Sequence, residues 1–208
     1  MSKQNILIAC LLATSVAHAQ RLSFGVKGGA IVNEPTEHMK DESRRYTVGP
    51  VFEMRWGQIS LEINLLYKRT GSRSHSLLAG RNLLPEEEAA MPSRRVRSHT
   101  WELPVLGKYY FRRESRLQPF VSTGYSFSKS KVAGEGTFIN FLEGQPKPLP
   151  YNFNHWTELN IGAVVAAGVQ WRAGRFALTP EFRYTRWSSR QETSLKRNQI
   201  EVLFGITY

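Results

Sequence analysis

The sequence predicts an all-β fold: a single antiparallel, up-and-down transmembrane β-barrel of eight strands, with short periplasmic turns and long external loops. Three observations predict it. Apolar and polar residues alternate through nearly the whole chain from Leu22 onward. The connecting segments alternate between short and long. The polar face carries acidic and basic residues in equal number.

The period-2 pattern places eight strands in order. Leu22 to Val32 sets Leu22, Phe24, Val26 and Ala30 against Ser23, Gly25, Lys27 and Gly29, and Tyr46 to Trp56 sets Val48, Phe52, Met54 and Trp56 against Thr47, Gly49, Glu53 and Arg55. Ile59 to Lys68 alternates Ile59, Leu61, Ile63, Leu65 and Tyr67 with Ser60, Glu62, Asn64 and Lys68. Trp101 to Phe111 pairs Trp101, Leu103, Val105, Tyr109 and Phe111 against Glu102 and Lys108. Leu117 to Ser128, Leu159 to Trp171 and Phe176 to Tyr184 follow the same rule. The last segment, Gln199 to Tyr208, keeps Ile200, Val202, Phe204, Ile206 and Tyr208 on one face, with Leu203 the exception on the other. Strands of this length exceed those of ordinary soluble sheets and suit a tilted crossing of a bilayer, which takes about 9–11 residues.

Between the strands, Trp56 to Ile59, Phe111 to Leu117 and Arg172 to Arg175 are short. Asn33 to Arg45, Gly71 to Arg97, Lys129 to Thr157 and Trp187 to Arg197 read as long polar loops. Outer-membrane barrels have this asymmetry, with the short turns in the periplasm. Basic patches fall in the long segments, at Arg44-Arg45, Arg94-Arg95-Arg97, Lys129 and Lys131, Arg186, Arg190 and Lys196-Arg197.

The polar face decides which side is inside. It carries Lys27, Glu53, Arg55, Glu62, Lys68, Glu102, Lys108, Glu181, Arg183 and Glu201, interspersed with small residues. A water-facing surface need not balance its charges, whereas a narrow interior must, because each buried charge requires compensation. Eight strands leave a lumen only wide enough for side chains to fill. We therefore expect these ten residues to form a charge network in the lumen. The apolar face places Trp56, Tyr67, Trp101, Tyr109, Phe111, Trp171, Tyr184 and Tyr208 near strand ends, the positions of two interfacial aromatic girdles.

The first residues have the form of an export signal. Lys3 is followed by an apolar run from Ile6 to Val16 and by Ala17-His18-Ala19, which predicts a signal peptide over 1–19 and a barrel over 20–208. Leu7-Ile8-Ala9-Cys10 has the look of a lipoprotein box, but the apolar run continues past it to Val16. Cys10 is the single cysteine, so cleavage leaves no disulfide. The chain carries net charge +11. For an exported protein the expected counter-charge is anionic lipid or lipopolysaccharide rather than nucleic acid.

Trp101 to Phe111 (Trp-Glu-Leu-Pro-Val-Leu-Gly-Lys-Tyr-Tyr-Phe), Ala177 to Tyr184 (Ala-Leu-Thr-Pro-Glu-Phe-Arg-Tyr) and the aromatic C-terminus resemble the outer-membrane β-barrel domain family, similar in architecture to the OmpA transmembrane domain. The resemblance covers Leu22 to Tyr208 and implies insertion by the barrel-assembly machinery. That machinery reads a terminal aromatic residue, usually Phe; here it is Tyr208. The resemblance does not imply a peptidoglycan-binding domain.

A search for chemistry finds little. His38, His75, His99 and His155 fall in loops or at outer strand ends, with Ser74, Ser76 and Ser98 beside two of them and Glu86-Glu87-Glu88 in the same loop as His75. Nucleophilic catalysis needs hydroxyl, base and carboxylate to converge, which adjacency in a loop does not establish. No two histidines stand at metal-ligand spacing. Gly25 to Gly29 lacks the strand-turn-helix context of a nucleotide loop. We expect no catalytic, cofactor or metal site. The expected role is that of a monomeric, structural or surface-interaction barrel in contact with outer-membrane lipid and lipopolysaccharide. A lipid A-modifying enzyme, a narrow channel and a soluble periplasmic lipocalin-like barrel are the competing readings.

Overall fold

The computed structural model describes residues 20–32, 40–41, 46–75, 93–112, 115–140, 147–188 and 197–208. The predicted signal peptide, Cys10, His38 and the acidic run Glu86 to Glu88 lie outside them, as do the side chains of Ser74 and His75. The described residues form eleven strands: β1 (Gln20–Ile31), β2 (Lys40–Asp41), β3 (Tyr46–Trp56), β4 (Ile59–Asn64), β5 (Leu66–His75), β6 (Ser93–Tyr110), β7 (Leu117–Asn140), β8 (Lys147–Trp156), β9 (Asn160–Ala173), β10 (Phe176–Trp187) and β11 (Asn198–Thr207). All pairings between them are antiparallel.

The sheet closes on itself. β1 pairs with β3 along one edge and with β11 along the other, from Gly25↔Thr207 to Ile31↔Glu201. The wall then runs from β3 through β4 and β5 to β6, β7, β9, β10 and back to β11. Closure leaves no open edge in the membrane, where unpaired backbone groups would go unsatisfied.

Two barrel strands are interrupted, each for a different reason. β4 and β5 meet β6 in one unbroken register, Ile63↔Val105 followed by Leu66↔Glu102, so they form one strand with a gap at Leu65. Pro50 and Pro104 occupy the neighbouring strands at that level, and proline has no N–H to give to a ladder. Leu65 N still donates to the Pro50 carbonyl at 3.1 Å. β8 and β9 both pair with β7, but the register slips by one residue between Lys131↔Trp156 and Ser128↔Asn160. That slip is a bulge at Glu158 and Leu159, and it reverses which residues face outward.

The long segments around β5 to β8 differ from the sequence expectation. β5 extends to His75 and β6 begins at Ser93, so the Gly71 to Arg97 segment is strand at both ends. β7 runs to Asn140 and β8 returns from Lys147, which makes much of Lys129 to Thr157 a hairpin continuing the barrel wall. β2 adds a short rung against Ser72 and Arg73 of β5.

The apolar face lies outside. Phe24, Phe52, Leu103, Val121, Ile161, Val165, Phe182 and Phe204 are exposed, while Lys27, Glu62, Lys68, Lys108, Arg183 and Glu201 are buried. This inversion requires a hydrocarbon surround, since so large an apolar surface is unfavourable in water. One close approach in the wall admits only glycine: a Cβ on Gly49 would sit 1.9 Å from the Leu65 carbonyl oxygen. We predict that the full chain refolded in detergent migrates differently in SDS before and after boiling, and that Gly49→Val removes most of the unboiled folded band. Identical migration of the wild-type chain in both conditions would contradict a closed barrel.

Candidate functional site

The inward-facing residues meet because antiparallel pairing brings one residue of each strand to the same level, and alternation turns every second side chain into the lumen. Glu62 on β4 is the hub. It accepts ion pairs from Lys27 on β1 (2.6 Å), from Lys108 on β6 and from Arg183 on β10 (3.6 Å), and a hydrogen bond from Asn64 Nδ2 (2.8 Å). Glu181 closes the ring, bound by Lys27 at 2.8 Å and by Arg183 at 2.7 Å. Lys108 also reaches Glu53 at 3.7 Å, and Glu53 accepts the Tyr110 hydroxyl at 2.6 Å.

A second cluster stands toward the outer end. Lys68 on β5 bridges Glu102 on β6 and Glu201 on β11, the latter at 2.9 Å. Ser126 donates to Glu102 at 2.7 Å and Thr47 to Glu201 at 3.0 Å. Hydroxyls thus take up carboxylate lone pairs that the cations leave over, as low-dielectric burial requires.

Nine of the ten lumen charges are ion-paired in this way, and Arg55 stands apart. It lies at the short-turn end, buried, with its guanidinium 3.8 Å over the Tyr110 ring. Nε donates to the Gly57 carbonyl (2.9 Å) and Nη1 to Gln118 (2.7 Å) and Gln170 (3.3 Å). Its partners are neutral, which departs from the expectation of a carboxylate for each interior cation.

Several interior groups were not singled out in the sequence. Tyr110 and Phe120 pack at 5.5 Å, with Lys108 Nζ 4.4 Å above the Phe120 ring. Trp187 is fully buried and donates Nε1–H to Gln199 at 3.1 Å. Parity was the available signal: Trp187 continues the odd-numbered inward series Thr179, Glu181, Arg183 and Thr185. The interior is therefore filled by bulky aromatics as well as by small residues and charges.

The eight predicted girdle residues all lie on the outward face, in two tiers. Near the short turns, Tyr109 and Phe111 meet edge-to-face at 5.5 Å, and Tyr208 contacts Phe24 at 6.2 Å and Phe176 at 5.7 Å. Trp56 and Trp171 share this tier. Toward the other end, Tyr67 packs on Trp101 at 5.3 Å and on Tyr46 at 6.4 Å. Tyr184 lies on β10 opposite Ile200 and Val165. The tiers on β6, Trp101 and Tyr109, are eight residues apart, about 26 Å along a strand at ~3.3 Å per residue.

Directly above the outer tier, the register aligns Arg69, His99, Lys131 and Trp156 across four strands, with Arg97 on the outward face one step further out. The bulge before β9 is what turns Trp156 outward, where Lys129 Nζ lies 5.8 Å from its ring. Arg95 and Glu135 face each other at 3.8 Å beside a cleft of about 230 Å³ lined also by Arg97, Asn152 and Phe153. His99 is hydrogen-bonded through Nδ1 to the Tyr67 hydroxyl, and the His155 ring lies tilted beside Phe153 at 5.9 Å. Among the described residues, no group of three His, Cys, Asp or Glu side chains is placed to hold a metal ion.

The family description "Outer membrane protein beta-barrel domain" matches residues 17–186. No curated protein matches the sequence. Among solved structures, the chain is similar to Neisserial surface protein A, at 12% identity and TM-score 0.46 over 90% of this chain and 97% of that one. It is also similar to the N-terminal barrel domain of Pseudomonas aeruginosa OprF, at 11% identity and TM-score 0.39 over 91% and 96%. The attachment invasion locus protein Ail of Yersinia pestis matches at 11% identity and TM-score 0.39, over 90% and 95%.

Removing the hub carboxylate would leave Lys27, Lys108 and Arg183 in the interior with only Glu181 and Glu53 to compensate them, and breaking a buried pair costs about 3–5 kcal/mol. We predict that Glu62→Gln lowers the unfolding free energy of the refolded barrel, measured by urea titration, by an amount in that range. Arg95→Gln, at the exposed pair with Glu135, changes it by less than about 1 kcal/mol.

Proposed function

Because the chain belongs to the outer membrane protein beta-barrel domain family, we propose that it is a non-enzymatic structural and surface-interaction barrel that grips the phosphorylated glycolipid of the outer leaflet. The observation that carries this reading is the basic row Arg69, His99 and Lys131, set immediately above the Tyr67–Trp101 aromatic tier. Aromatic tiers settle at the headgroup level. The row above them therefore meets the phosphates of lipopolysaccharide, where each cation contributes about 1 kcal/mol of attraction. Arg97 and Lys129 extend the same outward surface.

The reading covers the rest of the chain as well. Residues 1–19 act as a signal peptide cleaved after Ala19, the barrel-assembly machinery inserts the protein through its terminal strand and Tyr208, and the product is monomeric. The charge-locked lumen acts as a plug rather than a conduit. A non-enzymatic role is favoured by the surroundings of His99. Its hydrogen-bond partner is a phenol, and the charged groups acting on it are Arg69, Lys131 and Arg97, whereas a general base needs a carboxylate to orient it.

The test is lipopolysaccharide binding by the refolded chain and by a triple variant, Arg69→Gln/Arg97→Gln/Lys131→Gln. We expect the triple variant to fold and to bind at least tenfold more weakly, with the difference shrinking at high salt. Equal binding by the two proteins would remove the basis of the proposal.

A further inference from the structure

The opposite mouth of the barrel holds a feature that outer-surface binding does not use. A cleft of about 200 Å³ opens at the short-turn end, between the start of β1 and the β9–β10 turn. Arg21, Arg172 and Arg175 line it, and the buried Arg55 forms part of its wall. Arg55 directs Nη2 without any hydrogen-bond partner, while Nε and Nη1 are held by Gly57, Gln118 and Gln170. Arg21 and Arg172 stand near enough to repel the Arg55 charge, and Glu53 is the one acidic side chain in the lining.

A buried guanidinium N–H left unsatisfied is costly unless an acceptor completes it. Four arginines outnumber the carboxylates of Glu53 and of the Tyr208 terminus, which makes that acceptor an anion, and a planar guanidinium with two neighbouring arginines matches a phosphate. The remaining lining separates a lipid from a free ion. Leu22, Phe176 and Tyr208, each at least half exposed on the membrane face, border the same cleft. Inorganic phosphate has no use for an apolar wall. An acyl chain lying along it would carry its headgroup to the arginines, at the level of the inner leaflet.

We propose that this mouth binds the phosphate of an anionic, inner-leaflet phospholipid of the phosphatidylglycerol type, with Arg55, Arg172 and Arg175 as its ligands and Leu22 and Phe176 against its acyl chain. The lipid supplies the acceptor that Arg55 lacks and screens the repulsion among the arginines. It also ties the rim formed by β1, β10 and β11 to the membrane.

Native mass spectrometry of the full chain in detergent, titrated with phosphatidylglycerol, phosphatidylethanolamine or inorganic phosphate, tests this. The expected result is at least fivefold preference for phosphatidylglycerol over phosphatidylethanolamine, no displacement by excess inorganic phosphate, and at least fivefold loss of binding in Arg55→Gln. Arg172→Gln/Arg175→Gln lies at the rim and serves as a second variant, expected to lose the same preference, should Arg55→Gln fail to give an unboiled folded band. Displacement by inorganic phosphate would mean a free-anion site and overturn the phospholipid assignment. Equal retention of the two lipids, or retention of the preference in a folded variant, would overturn the site itself. Neither result bears on lipopolysaccharide binding at the other end.

Discussion

Glu62 and the three cations around it are the constraint on which the rest of the structure depends. One carboxylate on β4 gathers Lys27 from β1, Lys108 from β6 and Arg183 from β10, strands that are far apart in sequence and lie around the barrel wall. Each is expensive to bury alone, and only Arg183 pairs with a carboxylate, Glu181, on its own strand, so Lys27 and Lys108 depend on carboxylates of other strands. The requirement acts across the lumen, where backbone hydrogen bonds link only neighbouring strands. Strand register is thereby tied to charge pairing, since a one-residue slip would turn a whole strand's charges to the lipid side.

With the charges held inside, the outside is free to be apolar. The belt between the two aromatic tiers meets hydrocarbon, and what lies beyond each tier meets headgroups. Both ends of this barrel are basic beyond their tiers, with Arg69, Lys131 and Arg97 at one and Arg21, Arg172 and Arg175 at the other. These basic side chains thus stand at the two ends of the barrel, beyond the aromatic tiers. In the lumen five cations stand against five carboxylates.

The transmembrane strands were legible because lipid outside and charge inside impose a strict period of two, as in Ile59 to Lys68 or Gln199 to Tyr208. Legibility failed where that period breaks. The bulge at Glu158 and Leu159 reverses parity, so Trp156 faces outward although Leu159 to Trp171 alone would not place it. Pro148 and Pro150 made β8 read as loop, yet it pairs with β7 along its whole length. Trp187 stands at the start of a segment that reads as a loop, yet it keeps the inward parity of β10. Lumen membership of the ten charged residues was readable from alternation, but the identity of each pair was not. Pairing depends on register between strands, which a single sequence does not carry. Arg55 shows the same limit: its place in the interior followed from parity, its lack of a carboxylate only from the assembled barrel.

Tryptophan orientation in a bilayer tests the inward-polar, outward-apolar arrangement most directly. Single-tryptophan chains that retain either Trp101 or Trp187 would be reconstituted into vesicles containing brominated lipid, which quenches fluorescence on contact. Trp101 lies in the outward tier and Trp187 is buried in the lumen. The account predicts strong quenching of Trp101 and little quenching of Trp187. Strong quenching of Trp187 with little effect on Trp101 would mean that the wall faces the other way, and would contradict it.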